Sequence, residues 1–431
     1  MKKTFMPLIK TQKELEELQL NRLKWTVQHA YNGSPLYQKR LNESGIKPGD
    51  IQSLDDLQYL PFTTSQDFRD EYPFPLLSVS FENVVRIHAS SGTTGKRKVL
   101  CYTEKDIEDW THLFARCYEM AGLTKEDRVQ ISSGYGVWTA GVSFQMGCEK
   151  FGAMAIPIGP GNIDMQCQFM IDFQTTVMTC TASMGLLLAE EVKKRGILDQ
   201  LNLKCMIFGS ERSSISMRNK IRELLNLENI FDITGLTELY GPGMGLDCPY
   251  HTGIHYWADY YILEILDPET LKPVPEGETG ETVVTTLRKE AVPLIRYRTR
   301  DLTKLITGND CPCGCFLPRH ERLLGRSDDM FIFRAVNIYP GQIDHVLSGI
   351  NGIGSEFQVI LNRKQDGRDY MVIKAEKADE FSCNGNSELR KEIGESIKKH
   401  LLVSANIELV DYGSLPRSER KSKRVLDNRE F

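Results

Sequence analysis

Seven consecutive residues, Ser90, Ser91, Gly92, Thr93, Thr94, Gly95 and Lys96, put hydroxyls, glycines and a lysine into one short run. Glycine lets the backbone approach an anion, hydroxyls and peptide N–H groups donate to its oxygens, and lysine adds positive charge. The run is not a P-loop, which needs Gly where Ser90 stands and Ser or Thr where Arg97 stands. A Ser/Gly surface turn has the same composition, so a phosphate reading needs support elsewhere in the chain. Asp232-Ile233-Thr234-Gly235-Leu236-Thr237-Glu238 supplies a second element. There Glu238 can bind magnesium while the Thr237 hydroxyl reaches a phosphate oxygen. Gly209-Ser210-Glu211 reads as a tight turn after a strand, and Pro293 to Asp301 packs three arginines beside an aspartate. The tail Leu415 to Val425 is strongly basic, which by itself describes a solvated or polyanion-binding patch. Cys248, Cys311, Cys313 and Cys315, with His251 and His255, have the residue types of a tetrahedral zinc site; a cluster of reduced, partly buried thiols is the alternative.

The elements that must position these residues follow from periodicity. Residues 11–45 carry Leu15, Leu18, Leu23, Val27 and Leu41 at helical spacing, an amphipathic lead-in. The β-prone run Val84 to Ile87 leads into the first loop, and Tyr102-Thr103 opens a helix with Asp106, Trp110, Phe114 and Tyr118. From Val129 short apolar strands alternate with helices, the pattern of a largely parallel α/β sheet whose ligands collect at the carboxyl ends of strands. Tyr135, Thr181, Ser183 and Gly209 to Glu211 fall at such ends. Between 254 and 310 the texture turns β-rich, which predicts a small barrel or extra sheet, and a compact final segment of strands and helices follows Asp329.

A chain of 431 residues is too long for one core, so two or three domains are expected. With 41% hydrophobic and 26% charged residues and a net charge of -5, it has the composition of a water-soluble globular protein and offers no whole-chain case for nucleic acid or an anionic membrane. The N-terminus is a poor signal peptide, interrupted by Pro7 and Lys10, and no run reaches the length of a membrane span, which predicts a cytoplasmic protein. Eleven scattered cysteines argue against a disulfide scaffold.

Ser90 to Lys96 resembles the phosphate loop of adenylate-forming enzymes, the acyl-CoA ligases and their relatives. Leu60-Pro61-Phe62-Thr63-Thr64 and the later motifs narrow the resemblance to the phenylacetate-CoA ligase family. It implies an α/β fold with a large N-terminal domain, residues 1–326, of mainly parallel sheets plus a β-rich subdomain at about 254–325, and a small mobile α+β C-terminal domain, residues 327–431. The implied activity is ATP- and magnesium-dependent activation of an aryl or arylacetic acid to an acyl-adenylate, then transfer to CoA. Transfer to another acceptor, a carrier-protein thiol or an amine, and a non-catalytic nucleotide-binding scaffold are the competing classes. By resemblance Thr237 contacts the adenylate phosphate, Glu238 holds magnesium, and Gly209, Ser210 and Glu211 face adenine. Thr234 stands where the family often has tyrosine, which turns attention to Asp232 and Ile233 for the adenine platform. Asp301 is implied as the ribose ligand, Arg326 as a phosphate or ribose contact, Asp328 as the domain hinge and Lys421 as the lysine that neutralises charge during adenylation. Ala335 and Arg420 replace usual glycines. Tyr135, Trp138 and Phe144 are expected either to line the acid pocket or to pack in the core. The zinc set implied is Cys248, His255, Cys311 and Cys313, with His251 as rival and Cys315 as spare. The expected partners are small molecules, and a homodimer is compatible with the reading.

Overall fold

The computed structural model describes residues 4–70, 72–90, 97–210, 213, 215–306, 308, 310–334, 336–364, 368–378, 386–415 and 424–429. The chain divides into two compact units: residues 1–181, 197–210 and 227–322 form the first, and 182–196, 211–226 and 323–431 the second.

In the first unit, β1 (Arg86–Ala89) and β2 (Val99–Tyr102) form an antiparallel pair whose connection is the phosphate-loop candidate. A large sheet is built from β3 (Arg128–Ile131), β4 (Met154–Ile156), β5 (Val177–Cys180), β6 (Cys205–Phe208), β7 (Asn229–Leu236), β8 (Gly241–Asp247) and β9 (Ile254–Tyr256). A separate antiparallel sheet holds β10 (Tyr261–Leu266), β11 (Gly280–Thr286) and β12 (Tyr297–Thr303), while β13 (Leu305–Ile306) and β14 (Arg319–His320) return to the large one. The large sheet has the order β13-β14-β9-β8-β7-β6-β5-β3-β4. Strands β3 to β7 run parallel, and from β7 outward the pairing is antiparallel. The β-rich stretch is thus shared between two sheets. Its strands are assigned by pairing partners, which alternation of side chains along one strand does not reveal.

Local sequence explains the elements that carry the site. Thr103 caps the helix Glu104–Met120, its hydroxyl accepting from the Asp106 N–H at 3.1 Å while the Asp106 carboxylate accepts from the Thr103 N–H at 3.1 Å. Such reciprocal capping satisfies donors that a helix start leaves open. Trp110, Leu113, Phe114, Cys117 and Tyr118 bury one face of this helix. The helix Ala140–Phe151 lies against it so closely that a Cβ at Gly147 would sit 3.0 Å from the Phe114 carbonyl carbon, so only glycine fits. Strands β5 and β6 are buried along their whole length, as expected of parallel strands with near-continuous apolar sequence. Their carboxyl ends, with that of β7, carry Gly209-Ser210 and Thr234 to Glu238 side by side.

The second unit contains the helices Ala182–Arg195 and Ile215–Leu225, a hairpin of Phe331–Phe333 with Val336–Ile338, and a four-stranded sheet of Ile353–Arg363, Asp369–Lys377, Asn406–Val410 and Val425–Asp427. The helices Pro340–Ser348 and Asn386–Leu401 complete it, and its core includes Phe333, Ile338, Ile343, Val359, Leu361, Ile373, Ile393 and Ile397. No described helix is long and apolar enough to cross a membrane.

Candidate active site and thiol cluster

The base of the phosphate-loop candidate is stapled. The Ser90 N–H donates to the Lys98 carbonyl at 2.9 Å and the Lys98 N–H returns a bond to Ser90 Oγ at 3.1 Å. One residue earlier, the Ala89 N–H donates to the Val137 carbonyl at 3.0 Å, which ties the loop to the segment bearing Tyr135 and Trp138. Ser91, Gly92, Thr93, Thr94, Gly95 and Lys96 lie outside the described residues, as do Glu211, Ala335 and Lys421.

Glu238, buried at 4% exposure, is the centre of a polar cluster. Its Oε1 accepts the Tyr297 hydroxyl at 2.7 Å and pairs with the Lys98 ammonium. Ser65 Oγ lies 3.1 Å from the Tyr297 hydroxyl and 3.4 Å from Lys98 Nζ, closing the network. Burial alone raises the pKa of Glu238, but the Lys98 charge and bond and the Tyr297 hydroxyl outweigh it and leave the carboxyl below the ordinary value. Glu238 is therefore ionised at neutral pH and ready to meet a cation. Thr237 beside it is held by its carbonyl, which accepts the Tyr102 hydroxyl at 3.1 Å, and its own hydroxyl lies 3.4 Å from Thr139 Oγ1. Behind the turn, the fully buried Lys289 ammonium donates to the Leu239 carbonyl, with the Tyr102 ring centroid at 4.2 Å and that of Tyr240 at 4.6 Å. Gly235 is required where β7 meets β8: a Cβ there would stand 2.7 Å from Pro242 Cα.

The remaining nucleotide candidates are spread over several elements. Gly209 packs on Ile233, since an added Cβ would lie 2.9 Å from Ile233 Cγ2, and Ser210 takes a positive φ of 71° at the turn. Asp232 is ion-paired with Arg322 at 2.6 Å. The Asp301 N–H donates to Thr299 Oγ1 at 3.0 Å at the end of a segment whose arginines are taken up by acids: Arg296 by Glu264, Arg298 and Arg300 by Glu281. In the second unit Arg326 and Asp328 pair with each other through two bonds of 2.8 and 2.9 Å. Of the acid-pocket candidates, Tyr135 and Trp138 lie in the connection between β3 and the helix Ala140–Phe151, with the Arg97 guanidinium 5.3 Å from the Trp138 ring. Phe144 is placed in the helix–helix contact instead, edge-on to Phe114 at 5.2 Å and 2% exposed.

Lys98, Tyr297, Ser65 and Lys289 were not singled out by the sequence. Lys98 follows the loop in the basic run Lys96-Arg97-Lys98, and Tyr297 sits among the three arginines. Their positions in those motifs were the available signal, and only the fold brings them to Glu238.

A second cluster of ligating side chains lies on the far strands of the large sheet. Cys248, His255, Cys311 and Cys313 offer ligand atoms that all lie within 4.8 Å of one another. Cys248 Sγ is 3.5 Å from Cys311 Sγ, and Cys313 Sγ is 3.3 Å from His255 Nε2. Thiolates bound to one tetrahedral zinc lie about 3.8 Å apart, so a zinc ion fits this donor set with little adjustment. The outer shell also suits it. His255 Nδ1 donates to the Leu317 carbonyl at 2.8 Å and leaves Nε2 as the ligand atom, while the Cys315 N–H donates to Cys313 Sγ at 3.4 Å. Burial pushes the His255 pKa down to about 4, keeping the ring neutral. The rival His251 is engaged elsewhere, with Asp247 at 2.6 Å and Asn229 at 3.2 Å, and Cys315 is outside the set.

Comparison with known proteins places the chain. Residues 20–287 match the AMP-binding enzyme family and residues 335–429 match the AMP-binding enzyme C-terminal domain. The phenylacetate-coenzyme A ligase of Escherichia coli (strain K12) is 38% identical over 96% of this chain and 95% of that one. The enzyme of the same name from Thermus thermophilus is 37% identical over 99% of both. Among solved structures, a 2-hydroxyisobutyryl-CoA ligase in complex with 2-HIB-AMP superposes with a TM-score of 0.87 at 24% identity, covering 97% of this chain and 90% of that one, a likeness of fold. The chain belongs to the phenylacetate-CoA ligase family of AMP-binding, adenylate-forming enzymes.

Proposed function

We infer that this chain is an AMP-forming acid:CoA ligase whose acid is phenylacetate or a close arylacetate. The observation that carries the reading is identity of 37 to 39% with phenylacetate-CoA ligases over nearly the full length of both partners. In the first half-reaction a carboxylate oxygen of the acid attacks the α-phosphorus of ATP, the bond to the β-phosphate oxygen breaks, and pyrophosphate leaves. In the second the CoA thiol attacks the acyl carbonyl, its proton is lost, and AMP departs as the C–O bond breaks.

The chain's own residues serve the first step. Glu238 would hold magnesium, which neutralises phosphate charge when bound; such sites commonly use one or two protein carboxylates plus phosphate oxygens. Thr237 presents a hydroxyl donor next to that carboxylate. Lys98, freed from part of its pairing with Glu238 when another cation arrives, can turn its ammonium to a phosphate oxygen. Asp301 for the ribose, Gly209, Ser210 and Glu211 with Ile233 at the base, and Lys421 as the adenylation lysine complete the proposed site. Asp328 is proposed as the hinge, Arg326 as a phosphate or ribose contact, and Tyr135 and Trp138 as acid-pocket walls.

Cys248, His255, Cys311 and Cys313 are proposed to hold a structural zinc ion, closed to substrate because protein donors fill all four positions.

The deciding assay is pyrophosphate release from ATP and magnesium across aryl, arylacetic and short-chain acids, with and without CoA, in the wild type and in Glu238→Gln and Lys421→Ala. Release driven by arylacetates, lost in both variants and followed by acyl-CoA, is the expected result. Release followed by transfer only to an amine or a carrier thiol would overturn the acceptor. Nucleotide binding without turnover on any acid would overturn catalysis.

A further inference from the structure

Beside the thiol cluster lies a cavity of about 370 Å³, walled by the N-terminal segment around Met6, the end of the helix Glu104–Met120, and the loops bearing Tyr250 and Cys313 to Leu317. It is distinct from the Glu238 cluster, none of whose residues line it. Sulfur is unusually frequent in its wall: Met6, Met120, Cys313 and Cys315 all contribute. Thiolates and thioethers are ligands for soft or borderline metal ions, so the wall has the chemistry of a metal path rather than of a site for acid or nucleotide.

The four cluster residues relate to this cavity unequally. Cys248 and His255 are 0% exposed and Cys311 is 6% exposed, and none of the three lines the cavity. Cys313 is half-buried and does. An ion reaching or leaving the cluster from this side therefore meets Cys313 first. Cys315, also half-buried, stands on the same wall, joined to Cys313 through Gly314 and through the bond from its own N–H to Cys313 Sγ. It is thus a thiol next to the cluster's exposed edge that the cluster itself does not use.

We propose that this cavity is the exchange port of the zinc site and that Cys315 is its transfer thiol. The inference rests on reading the four-residue cluster as a zinc site. An incoming ion is taken first by Cys313 and Cys315, and then passes inward as Cys311, Cys248 and His255 replace Cys315 and the remaining outer ligands. Each new Zn–S bond replaces a bond to water or to the donor's ligand, and each thiol that binds gives its proton to solvent, so no oxidant or reductant is needed. On release the order reverses. The N-terminal segment is the outer wall of the port: the Phe5 and Met6 N–H groups donate to the Glu119 carboxylate at 2.6 and 3.2 Å, and Thr4 Oγ1 donates to it at 2.7 Å. Glu119 thereby holds Met6 across the cavity.

The test compares metal content with metal transfer in full-length wild type, Cys315→Ser and Glu119→Gln, using zinc alone as the probe. Zinc is counted by elemental analysis, transfer to a chromogenic chelator is followed in time, and cobalt substitution reports the number of thiolate ligands. The expected result is equal zinc content and the same three-thiolate cobalt spectrum in all three proteins. Transfer should be slowed roughly tenfold in Cys315→Ser, a size typical of residues just outside a ligand set, and accelerated in Glu119→Gln as the outer wall loosens. Unchanged transfer rates with zinc present in all three would overturn the port and leave the zinc site standing. Loss of zinc or of one thiolate signal in Cys315→Ser would overturn the transfer role by making Cys315 a resident ligand. A wild type that neither contains nor takes up zinc would overturn the cluster reading and this inference with it.

Discussion

Two buried clusters in the same unit solve the problem of charge in opposite ways. Around Glu238 the protein supplies its own cation, so a buried carboxylate is ionised and compensated by Lys98 and Tyr297 before any ligand arrives. Around Cys311 the hydrogen-bond partners are thiols, a neutral imidazole, a hydroxyl and backbone groups, and among the described residues no lysine or arginine bonds to a sulfur of the cluster. A buried charge without a counterion costs several kcal/mol, and bringing that counterion from outside is what makes a metal part of the fold. On the proposed reading the difference teaches which cation each site can part with: magnesium at Glu238 would exchange with substrate every turnover, whereas a structural zinc at the thiol cluster would never need to leave during catalysis.

The sharpest way to break this contrast is to remove the internal cation. Lys98→Met leaves Glu238 buried beside an apolar chain, and unfolding free energy should fall by about 3 to 5 kcal/mol, the usual cost of stranding one member of a buried pair. Adding Glu238→Gln should recover most of that loss, because the double variant no longer buries a net charge. Urea unfolding of the three proteins measures it. A double variant no more stable than Lys98→Met would show that packing, and not charge compensation, is what Lys98 supplies.

Removing the external cation is the matching experiment at the other cluster. Cys311→Ser should lose bound zinc and lower the unfolding midpoint of the first unit by roughly 5 °C, from a few kcal/mol lost over a unit of this size. Pyrophosphate release at a temperature well below that midpoint should be little changed. If activity collapses while folding is intact, the cluster serves chemistry and the comparison of the two sites fails.

The sequence carried the two clusters unevenly. Ser90 to Lys96 and Thr237-Glu238 stand out as candidates because they are local runs whose residue types suggest their chemistry, and the parallel sheet was legible because strands and helices alternate. Lys98 and Tyr297 were not, since their roles depend on a fold that carries residues from 98, 238 and 297 to one point. The choice between His251 and His255 was likewise a matter of geometry: four residues apart, they differ in which strand neighbour they meet, with His255 in β9 opposite Arg319 and His251 turned to Asp247. Phe144 shows the same limit, because an aromatic at helical spacing reads alike as pocket wall or as helix–helix contact. The sequence leaves the roles of the arginines in the Pro293 to Asp301 segment open, between solvation and pairing with acids, and the fold decides it: Glu264 and Glu281 take them up as ion pairs.

Lys289 sharpens the Glu238 half of the comparison. Its ammonium donates to the Leu239 carbonyl, one residue beyond Glu238, so on the proposed reading it serves as a positioning residue. Lys289→Met should lower kcat for adenylation by about tenfold, the scale of a lost charge-assisted bond, and raise the magnesium concentration needed for half-maximal rate. Burial pushes its pKa down to about 8, opposed in part by Asp106, Cys101 and Glu238. The folded state therefore binds fewer protons than the unfolded one between about pH 8 and 10, where an unfolded lysine is still charged. Stability attributable to Lys289 must rise with pH across that window, and the gap between wild type and Lys289→Met should change in the wild type's favour. A gap independent of pH from 7 to about 10 would remove the charged lysine from the account.

The smallest effect tests the boundary of the thiol cluster. His251 is bonded to Asp247 and Asn229, and its ring is not among the four residues whose ligand atoms converge. His251→Ala should leave zinc content and the cobalt spectrum as in the wild type and cost about 1 kcal/mol, the worth of a bond to a charged partner at a half-exposed site. His255→Ala should lose the metal, since it removes the only nitrogen donor of the set. Should the two variants exchange these outcomes, the ligand set would have to be rebuilt around His251. The bond from His255 Nδ1 to the Leu317 carbonyl would then be ordinary core packing, because a neutral buried imidazole needs a partner for its N–H whether or not a metal sits on the other side of the ring.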